Sequence, residues 1–531
     1  MTRASYRFPL LLACLLGLLS CKEEGRSDEV IEPNPPNIIY ILADDLGYGD
    51  VSCYHPSGKI KTPHLDALAA QGMRFTDAHS PSAVCTPTRY GILTGRYSWR
   101  SPLKSGVLTG KSKALIAKNR TTVASLLKKS GYHTAFIGKW HLGWDWALKD
   151  TADLGGDGWN PGDFDAIDFT KNIAHSPNDL GFDLAYGHSG SLDMAPYVYV
   201  ENGKVTAQVK GVTEDTGKYT WWRKGPTAAD FLHRDVTPNF FRRSMAYVKE
   251  RSKVDAPFFL YLALPSPHTP ILPTADWLGK SGMNPYADFM MEMDHYVGQL
   301  VATVQEMGIA DNTMVVFTSD NGCSPEADFE VLEQFGHDPN GGFRGHKADI
   351  FEGGHRVPFI VKWPARVAAG SRSDATVCLT DLMATAAHLV QVPLADDEGE
   401  DSFSLLPLLA PQEGGEYART ATVHHSINGS FALRKGDYKL IFAPDSGGWS
   451  PPVPGKDMAA KLPPLQLYHL KNDPGETENL VAGHPDILEE LTQLMQGYIA
   501  NGRSTPGPVQ QNAPLGLNGQ PWHQMEHLMG L

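Results

Sequence analysis

One cysteine stands in a segment whose residue types could carry chemistry. The segment reads Cys85-Thr86-Pro87-Thr88-Arg89-Tyr90-Gly91-Ile92-Leu93-Thr94-Gly95, so a proline follows the cysteine by two positions and an arginine by four. Free cysteine is often only a small buried apolar residue, which is the structural alternative for Cys85. Cysteine is also one of the side chains that enzymes use for nucleophilic chemistry. The fixed positions around Cys85 favour the functional interpretation.

Two pairs of polar residues follow apolar runs that are typical of buried strands. Asp44-Asp45 follows residues 37–43, and Asp320-Asn321 follows residues 314–318. In open α/β sheets ligands bind beyond the carboxyl ends of the strands, so we expect the two pairs to converge. Either pair alone is more typical of a turn or a helix cap. Together, three carboxylates and an amide oxygen predict a Ca²⁺ or Mg²⁺ site rather than a Zn²⁺ site.

Cationic and proton-carrying side chains accompany these pairs. They are Arg89 in the cysteine segment, Lys139 and His141 in Gly138–Gly143, His268 in Pro267–Pro270, and Lys347 before Glu352-Gly353-Gly354. A lone histidine or lysine is more often a surface residue or a satisfied core residue. Lys139, His141 and His268 each stand just past a predicted strand, where ligands bind. The sequence therefore predicts a cationic, metal-bearing pocket suited to a small oxyanion ester.

The composition limits the classes of protein that fit. The chain has 531 residues, of which 41% are hydrophobic and 20% are charged, as in ordinary soluble globular proteins. The net charge of −14 argues against nucleic acid or anionic membranes as partners. Six cysteines are present, and after Cys14, Cys21 and Cys85 are set aside, three widely spaced ones remain. This number allows at most one disulfide bond, so the fold must depend on its core.

The N-terminus is typical of an export signal. Arg3 and Arg7 precede a short apolar run that ends in Leu18-Leu19-Ser20-Cys21, which resembles the cleavage site of bacterial lipoproteins. About 12 apolar residues are too few to span a bilayer. We predict a lipoprotein-type signal peptide over 1–21 with lipidation at Cys21, and a tether over 22–36. The protein would then be anchored at the periplasm or the cell surface, and an ordinary secretory signal is the alternative.

Alternating strand and helix patterns predict the fold. We expect strands at residues 37–43, 133–137, 258–264 and 314–318, and helices at residues 62–71, 121–129 and 287–307. These favour a large doubly wound, mainly parallel sheet flanked by helices, an α/β fold. Residues 150–230 have weak periodicity and predict loops and short hairpins over the active face. Short strands and a helix after residue 416 predict a smaller C-terminal α+β unit, so the expected division is a catalytic domain over 37–415 and a subdomain with a tail over 416–531.

Taken together, these motifs resemble those of type I sulfatases of the alkaline-phosphatase superfamily. The matching segments are 37–49, the Cys85 segment, 138–143, 318–322, 347–358, 404–407 and 467–476. The family usually has serine where Thr88 stands, but the cysteine, proline and arginine are all present. The resemblance implies that a formylglycine-generating or sulfatase-maturating enzyme oxidises Cys85 to formylglycine, whose hydrate attacks sulfur.

The resemblance also implies roles for the other residues. The implied ligands of the cation, Ca²⁺ with Mg²⁺ as an alternative, are Asp44, Asp45, Asp320, Asn321 and the group derived from Cys85. Lys139 and Lys347 would stabilise charge on the sulfuryl oxygens, and Arg89 would orient the hydrate. His268, with Lys347, would protonate the leaving alcohol, and His141 would accept the proton of the second hydroxyl.

The alcohol part of the substrate is less constrained. An exported sulfatase of this kind is expected to act on a sulfated glycan, with an aryl sulfate as a simpler substrate. In residues 186–194, His188 and Asp193 are candidates for binding sugar hydroxyls. Trp221 and Trp222 are candidates for stacking on a sugar, although a buried tryptophan pair that packs a loop is equally compatible.

Two other functions remain open at this point. A phosphomonoester or phosphonate hydrolase of the same superfamily would share the fold and the metal site. A catalytically inactive glycan-binding protein on the cell surface would tolerate loss of the nucleophile or the metal ligands. Neither loss is seen in the sequence.

Overall fold

The computed structural model describes residues 35–149, 158–456 and 462–517, together with residues 519 and 528. In chain order the strands are β1 (Asn37–Asp44), β2 (Met73–Phe75), β3 (Ala78–His79), β4 (His133–Lys139), β5 (Leu184–His188), β6 (Val200–Glu201), β7 (Lys204–Val205), β8 (Val209–Asp215), β9 (Trp222–Ala228), β10 (Phe258–Pro267), β11 (Thr313–Ser319), β12 (Phe359–Lys362), β13 (Ser371–Ser373), β14 (Val377–Cys378), β15 (Ala421–His425), β16 (Phe431–Lys435), β17 (Tyr438–Ile441) and β18 (Gln466–His469). The helices are α1 (Pro63–Ala70), α2 (Cys85–Thr94), α3 (Val123–Lys129), α4 (Val236–Arg251), α5 (Pro285–Glu306), α6 (Phe329–Gln334), α7 (Glu352–His355), α8 (Leu382–Leu389), α9 (Leu406–Leu409) and α10 (Pro485–Ala500).

A mixed sheet of ten strands forms the centre of the molecule. Its strand order is β13-β2-β12-β11-β1-β10-β4-β5-β6-β7. The five strands from β11 to β5 run parallel to one another, whereas β12, β6 and β7 pair antiparallel. Helices flank the sheet, with α4 and α5 against β10 and α3 against β4. The predicted fold class is confirmed, and the carboxyl ends of five parallel strands meet at one edge of the sheet.

The central strands form because their sequences are apolar on both faces. Every residue of β10 and β11 is buried, and in β1 only Asn37 is partly exposed. Continuous apolar runs of this kind are typical of parallel strands covered on both sides. The strands extend beyond the predicted runs, to Asp44 in β1 and Pro267 in β10. These extra residues carry the sheet directly into the polar groups of the candidate site.

The region between residues 158 and 251 contains more regular structure than its sequence indicated. The predicted hairpins are present as β6–β7 and β8–β9. However, β5 pairs with β4 inside the main sheet, and α4 is a helix of 16 residues that packs against β10 and α5. The loops and hairpins of this region are therefore connected to the main sheet through β5.

The C-terminal part forms a second, smaller sheet. Strands β15 to β18 form an antiparallel sheet, and α10 packs on it through Leu491, Met495 and Ile499. The core of this unit also takes in Tyr97 and Trp99, which follow α2. The boundary at residue 415 stays a prediction, because the core beneath the small sheet includes side chains from both sides of it.

Three further observations concern the cysteines and the membrane. Cys53, Cys85, Cys323 and Cys378 are free in the described part of the chain. No helix in that part has the length and apolar character needed to cross a bilayer. The predicted signal, the tether and Cys21 lie outside the described residues, apart from Pro35 and Pro36 at the end of the tether.

Candidate active site

The acidic residues predicted to converge do so. Ala43 pairs with Ser319 in the parallel register of β1 and β11, and this places Asp44-Asp45 beside Asp320-Asn321. The Asp320 N–H donates to the Ala43 carbonyl at 3.1 Å, and the Asp45 N–H lies 3.3 Å from Asp320 Oδ1. Asp45 adopts a positive φ of 63°, which turns the chain sharply after the strand. The four side chains are buried at the carboxyl edge of the sheet.

Three buried cations surround these carboxylates. Arg89 donates from Nε and Nη2 to Asp320 Oδ2 at 3.0 and 2.8 Å. Lys139, at the end of β4, donates to Asp44 and, at 3.1 Å, to the Ser191 hydroxyl. Lys347 donates to Asp45 Oδ2 at 2.7 Å. Three carboxylates thus face three cationic side chains, so an added divalent cation would leave the cluster with an excess of positive charge that suits an anion.

The oxygen atoms of this cluster fit a hard divalent cation. Asp44 Oδ1 and Asn321 Oδ1 are buried acceptors without a hydrogen-bond partner among the described residues. Oxygen atoms of Asp44 and Asp320 lie within 4.8 Å of each other and of Cys85 Sγ. Buried acceptors without a donor are costly, and a cation would compensate them. Burial, reinforced by the Asp44 carboxylate, raises the pKa of Asp320 to about 7.

Cys85 is the first residue of α2 and lies beside this cluster. Every residue of α2 is buried. The Thr88 hydroxyl donates to the Ser82 carbonyl at 3.0 Å, so the threonine at this position stabilises the turn that leads into the helix. Burial raises the pKa of the Cys85 thiol to about 11, which keeps the unmodified thiol protonated at neutral pH. An unmodified Cys85 is therefore a poor nucleophile.

A cavity of about 400 Å³ opens onto these groups. Its wall includes Cys85, Asp45, His141, His268 and Lys347. Sequence reasoning placed all five near one another, and in the structure they line one cavity.

His141 is held in one tautomer. Its Nε2–H donates to the Leu108 carbonyl at 2.7 Å. Its Nδ1 is buried without a partner among the described residues, and the ring lines the cavity. Burial and the neighbouring Lys139 hold the pKa of His141 well below its usual range. A neutral imidazole with a free Nδ1 lone pair can accept a proton from a group in the cavity.

His268 follows β10 and lies on the opposite side of the acidic pair from Asp320. Its Nε2 is 3.3 Å from the Ser191 hydroxyl and 3.5 Å from Asp45 Oδ2. Burial lowers the pKa of His268, and the Lys347 ammonium lowers it further. The ring is thus within reach of groups at the cavity wall, which is the position a proton donor to a leaving group needs.

The four predicted substrate residues divide into two groups. Asp193 and Trp221 line the cavity, whereas His188 and Trp222 do not. His188 packs parallel to Phe240 with ring centroids 5.8 Å apart, and Trp222 stacks on His233 at 3.9 Å. The Trp222 indole also donates to the Thr213 hydroxyl at 3.2 Å. For Trp222, the structure therefore shows the loop-packing arrangement that was the alternative.

Sequence reasoning missed several residues of the cavity wall. They are Val84, Val107, Trp159, Met194, Arg223, Thr269, Ser324, Pro325, Glu326, Ile427 and Trp449. Arg223 stands next to the predicted tryptophan pair, and this adjacency is the only sequence signal that pointed to it. Trp449 comes from the loop between β17 and β18, more than 350 residues after Cys85 in the chain, and nothing local connects it to the site.

A cysteine beside buried carboxylates and three buried cationic side chains is an arrangement that suits a hydrolase of anionic esters. The model of the family described as Sulfatase matches residues 36–392. N-acetylgalactosamine-6-O-sulfatase of Bacteroides thetaiotaomicron is 33% identical over 541 residues, covering 93% of this chain and 99% of that protein. Human arylsulfatase A is 33% identical, covering 87% of each chain.

A solved structure agrees with these sequence comparisons. It comes from work on the metabolism of multiple glycosaminoglycans by Bacteroides thetaiotaomicron, and it superposes with a TM-score of 0.74 at 31% identity. The match covers 87% of this chain and 99% of that one. The chain therefore belongs to the sulfatase family, as the motifs indicated, and it is a sulfuric ester hydrolase.

Proposed function

We propose that this protein removes O-sulfate from a glycan, with formylglycine derived from Cys85 as nucleophile and Ca²⁺ as the resident cation. The observation that carries the proposal is the position of Cys85. It lines the cavity and lies beside buried carboxylates that pair with three buried cations. This set of groups matches the charge and the size of a sulfate ester.

The two implied groups would supply the reactive oxygen and the Lewis acid. Formylglycine offers a hydrated aldehyde, whose hydroxyl can attack sulfur and whose second hydroxyl allows sulfate to be released. A cation held by Asp44, Asp45, Asp320 and Asn321 would polarise that hydroxyl and a sulfate oxygen. The unpartnered oxygens of Asp44 and Asn321 support the choice of a hard cation, and Mg²⁺ is the alternative to Ca²⁺.

The remaining roles in the reaction would be carried by side chains of the buried cluster and of the cavity wall. Lys139 and Lys347 bind the non-bridging oxygens of the sulfate group, and Arg89 fixes the position of Asp320. Asp320 accepts the proton of the attacking hydroxyl. His268 carries the proton that the leaving alcohol needs. The free Nδ1 of His141 accepts a proton when sulfate departs.

One residue of the cavity wall, Asp193, supports a sugar as the alcohol part of the substrate. Asp193 is buried, and its Oδ1 has no partner among the described residues. Burial acts to raise the pKa of Asp193, but His268 and Arg223 lower it, so the side chain is a carboxylate. A buried carboxylate oxygen at a cavity wall is suited to accept a hydrogen bond from a sugar hydroxyl. The relative from Bacteroides thetaiotaomicron is named as a sulfatase of N-acetylgalactosamine, which is a sugar, and this supports the same class of substrate here.

The proposal also covers the maturation of Cys85 and the location of the protein. Because every residue of α2 is buried, the maturating enzyme would have to reach Cys85 before the chain has folded. We also propose that the chain is exported in a bacterium and anchored through lipid at Cys21, and a soluble secreted form is the alternative. Labelling with radioactive palmitate, lost in Cys21→Ala, would support the anchor, whereas equal labelling of both forms would contradict it.

Matched substrates test the proposed reaction. We expect the matured protein to hydrolyse 4-nitrophenyl sulfate at least 100-fold faster, in kcat/KM, than 4-nitrophenyl phosphate. A preference for the phosphate would favour the phosphomonoester or phosphonate hydrolase. No hydrolysis of either ester by a matured, metal-loaded protein would favour the inactive glycan-binding protein.

A further inference from the structure

The mouth of the cavity carries side chains that the proposed mechanism does not use. Trp449, Arg223 and Trp159 belong to the cavity wall. The two tryptophans are 46% and 38% exposed, although indole rings bury much apolar area when a fold can cover them. Exposed aromatic rings that meet at one cavity indicate a binding surface rather than a packing defect.

The backbone of Trp449 is fixed although its ring is exposed. Its N–H donates to Asp349 Oδ1 at 2.7 Å, and Ser450 donates to the same carboxylate from its N–H and its hydroxyl. A Cβ at Gly448 would lie 2.4 Å from Asp349 Oδ1, so only glycine permits this approach. The backbone of the loop is therefore held against Asp349, two residues after Lys347, and it places the indole at the cavity wall.

Arg223 on the same wall contacts a carboxylate and two tryptophan rings. It donates from Nη1 to the Asp193 carboxylate, and its guanidinium lies 4.5 Å from the ring centroid of Trp159 and 5.0 Å from that of Trp221. Its side-chain hydrogen bonds within the described residues all come from Nη1, and its side chain is 34% exposed. Nε and Nη2 are thus available to a ligand in the cavity.

The charges on this wall limit what Arg223 can bind. Asp193 pairs with Arg223, and Glu326 accepts a hydrogen bond from the Trp221 indole at 3.2 Å. The wall therefore carries no net positive charge outside the catalytic cluster. Directed hydrogen bonds from Arg223 to acceptor oxygens fit this arrangement, together with a ligand face that covers an aromatic ring. A sugar ring offers both an apolar C–H face and acceptor oxygens.

We infer that Trp449 and Arg223 form a second sugar subsite, which binds the unit next to the sulfated sugar. Trp449 stacks on the face of that unit, and Arg223 donates to its acceptor oxygens. The inference rests on the proposed function, and it narrows the substrate to a glycan of at least two units. A sulfated monosaccharide fills the catalytic pocket but leaves this subsite empty.

Paired substrates measure the contribution of the subsite. The probes are N-acetylgalactosamine 6-O-sulfate, the disaccharide that joins the same sulfated sugar to a neutral hexose, and 4-nitrophenyl sulfate. We expect kcat/KM of the wild type to be roughly tenfold higher for the disaccharide than for the monosaccharide, the scale of one aromatic stacking contact with its hydrogen bonds. In Trp449→Ala and in Arg223→Gln this preference should fall to about twofold or less.

Matched variants separate binding from stability. Trp449→Phe keeps an aromatic ring and should retain most of the preference for the disaccharide. Phe335→Ala removes another exposed aromatic ring, 45% exposed and not part of the cavity wall, and should leave the preference unchanged. Equal proportional losses of Trp449→Ala on all three substrates would mean that the loop only supports Lys347, which would overturn the inference.

The aryl sulfate distinguishes failure of the inference from failure of the proposed function. If the wild type cleaves 4-nitrophenyl sulfate but shows no preference for the disaccharide, or cleaves neither sugar, the second subsite is wrong and the sulfatase chemistry stands. If the wild type cleaves no sulfate ester, the proposed function is wrong. In that case calorimetry tests the second subsite by comparing the affinity of the wild type and of Trp449→Ala for the disaccharide. A weaker affinity of Trp449→Ala would support the subsite, and equal affinities would overturn it.

Discussion

The Arg89 guanidinium holds the Asp320 carboxylate through two hydrogen bonds to the same oxygen, at 3.0 Å from Nε and 2.8 Å from Nη2. Both side chains are fully buried, and Arg89 also donates from Nη1 to the Lys139 carbonyl at 2.9 Å. One side chain from the cysteine helix therefore ties together the ends of two strands. The cluster of Arg89, Lys139 and Asp320 is part of the core, so we expect its mutations to affect both folding and activity.

The Arg89–Asp320 pair predicts a strong coupling between two substitutions. Arg89→Ala leaves a buried carboxylate without its partner, and we expect it to lower the free energy of unfolding by roughly 3 kcal/mol or more. Arg89→Ala combined with Asp320→Asn removes the unpaired charge and should recover part of that loss. Urea unfolding of the wild type, Arg89→Ala, Asp320→Asn and the double variant in chelator measures the coupling. Additive effects of the two substitutions would contradict the pairing.

Removal of the cation should be reversible in the wild type. We expect chelation to abolish sulfatase activity and Ca²⁺ to restore it, with a rise in the melting temperature, since a ligand present at 100 times its Kd stabilises a protein by about 2.7 kcal/mol. Asn321→Ala removes one unpartnered oxygen and should weaken Ca²⁺ binding, and Asp320→Ala should lose both Ca²⁺ and activity. Glu333→Gln changes an exposed acid in α6 and serves as the control. Full activity in excess chelator would rule out the metal site.

Asp193 and His188 form a matched pair for testing substrate recognition. Both are buried, but only Asp193 lines the cavity. Asp193→Ala should lower kcat/KM on a glycan sulfate at least tenfold and change 4-nitrophenyl sulfate much less, because a site that binds a hydroxyl loses specificity without its acceptor. His188→Ala should affect both substrates to the same extent. A selective loss in His188→Ala, with none in Asp193→Ala, would reverse the assignment.

The C-terminal tail is predicted to contribute to stability. Gly502 has a φ of +64°, and a Cβ there would lie 1.9 Å from the Gln510 carbonyl oxygen. We expect Gly502→Ala to destabilise the protein by roughly 2 kcal/mol, through the strained backbone and the clash. Gly497 lies in α10 with open space around it, so Gly497→Ala should be neutral or slightly stabilising. Thermal unfolding compares them, and equal melting temperatures would show that the tail is not tied to the fold.

The parts of the fold that the sequence predicted are those with strong local patterns. The apolar runs that became β1, β10 and β11 have no polar residue to interrupt them, and the apolar stripe of α5 extends from Phe289 to Val304. The convergence of the two acidic pairs followed from a general rule on strand ends. These predictions needed no knowledge of distant contacts.

The parts that were missed depend on tertiary contacts. β5 is short and contains Gly187, whose missing side chain leaves room for the Gly138 carbonyl, since a Cβ would lie 1.8 Å from it. A glycine in a short strand weakens the local signal for strand. Thr62 precedes α1 as expected, but its hydroxyl accepts from the Ser52 N–H instead of capping the helix. Residue type gave the position of the helix start, but the hydrogen bond depends on how the loop ten residues earlier packs against Thr62.

The last residues show the same limit. The last 30 residues of the chain have no periodicity, and an ordered wrap and a loose tail were equally compatible with their sequence. The structure describes residues 502–517 of this tail continuously. In the structure the Ala513 N–H donates to the Arg100 carbonyl at 2.7 Å, and the Arg100 guanidinium donates to Asn512 Oδ1 at 3.1 Å. The order of this segment comes from partners about 400 residues away in the chain.

The most direct test is the mass of the peptide that contains Cys85. Trypsin releases Phe75–Arg89 from the protein purified from its native host, and formylglycine makes this peptide about 18 Da lighter than the cysteine form. We predict that the lighter form is present and reacts with a hydrazide probe, that sulfatase activity scales with its fraction, and that Cys85→Ala and Cys85→Ser are inactive. A peptide that carries only unmodified cysteine, in protein that hydrolyses 4-nitrophenyl sulfate, would contradict the proposed mechanism.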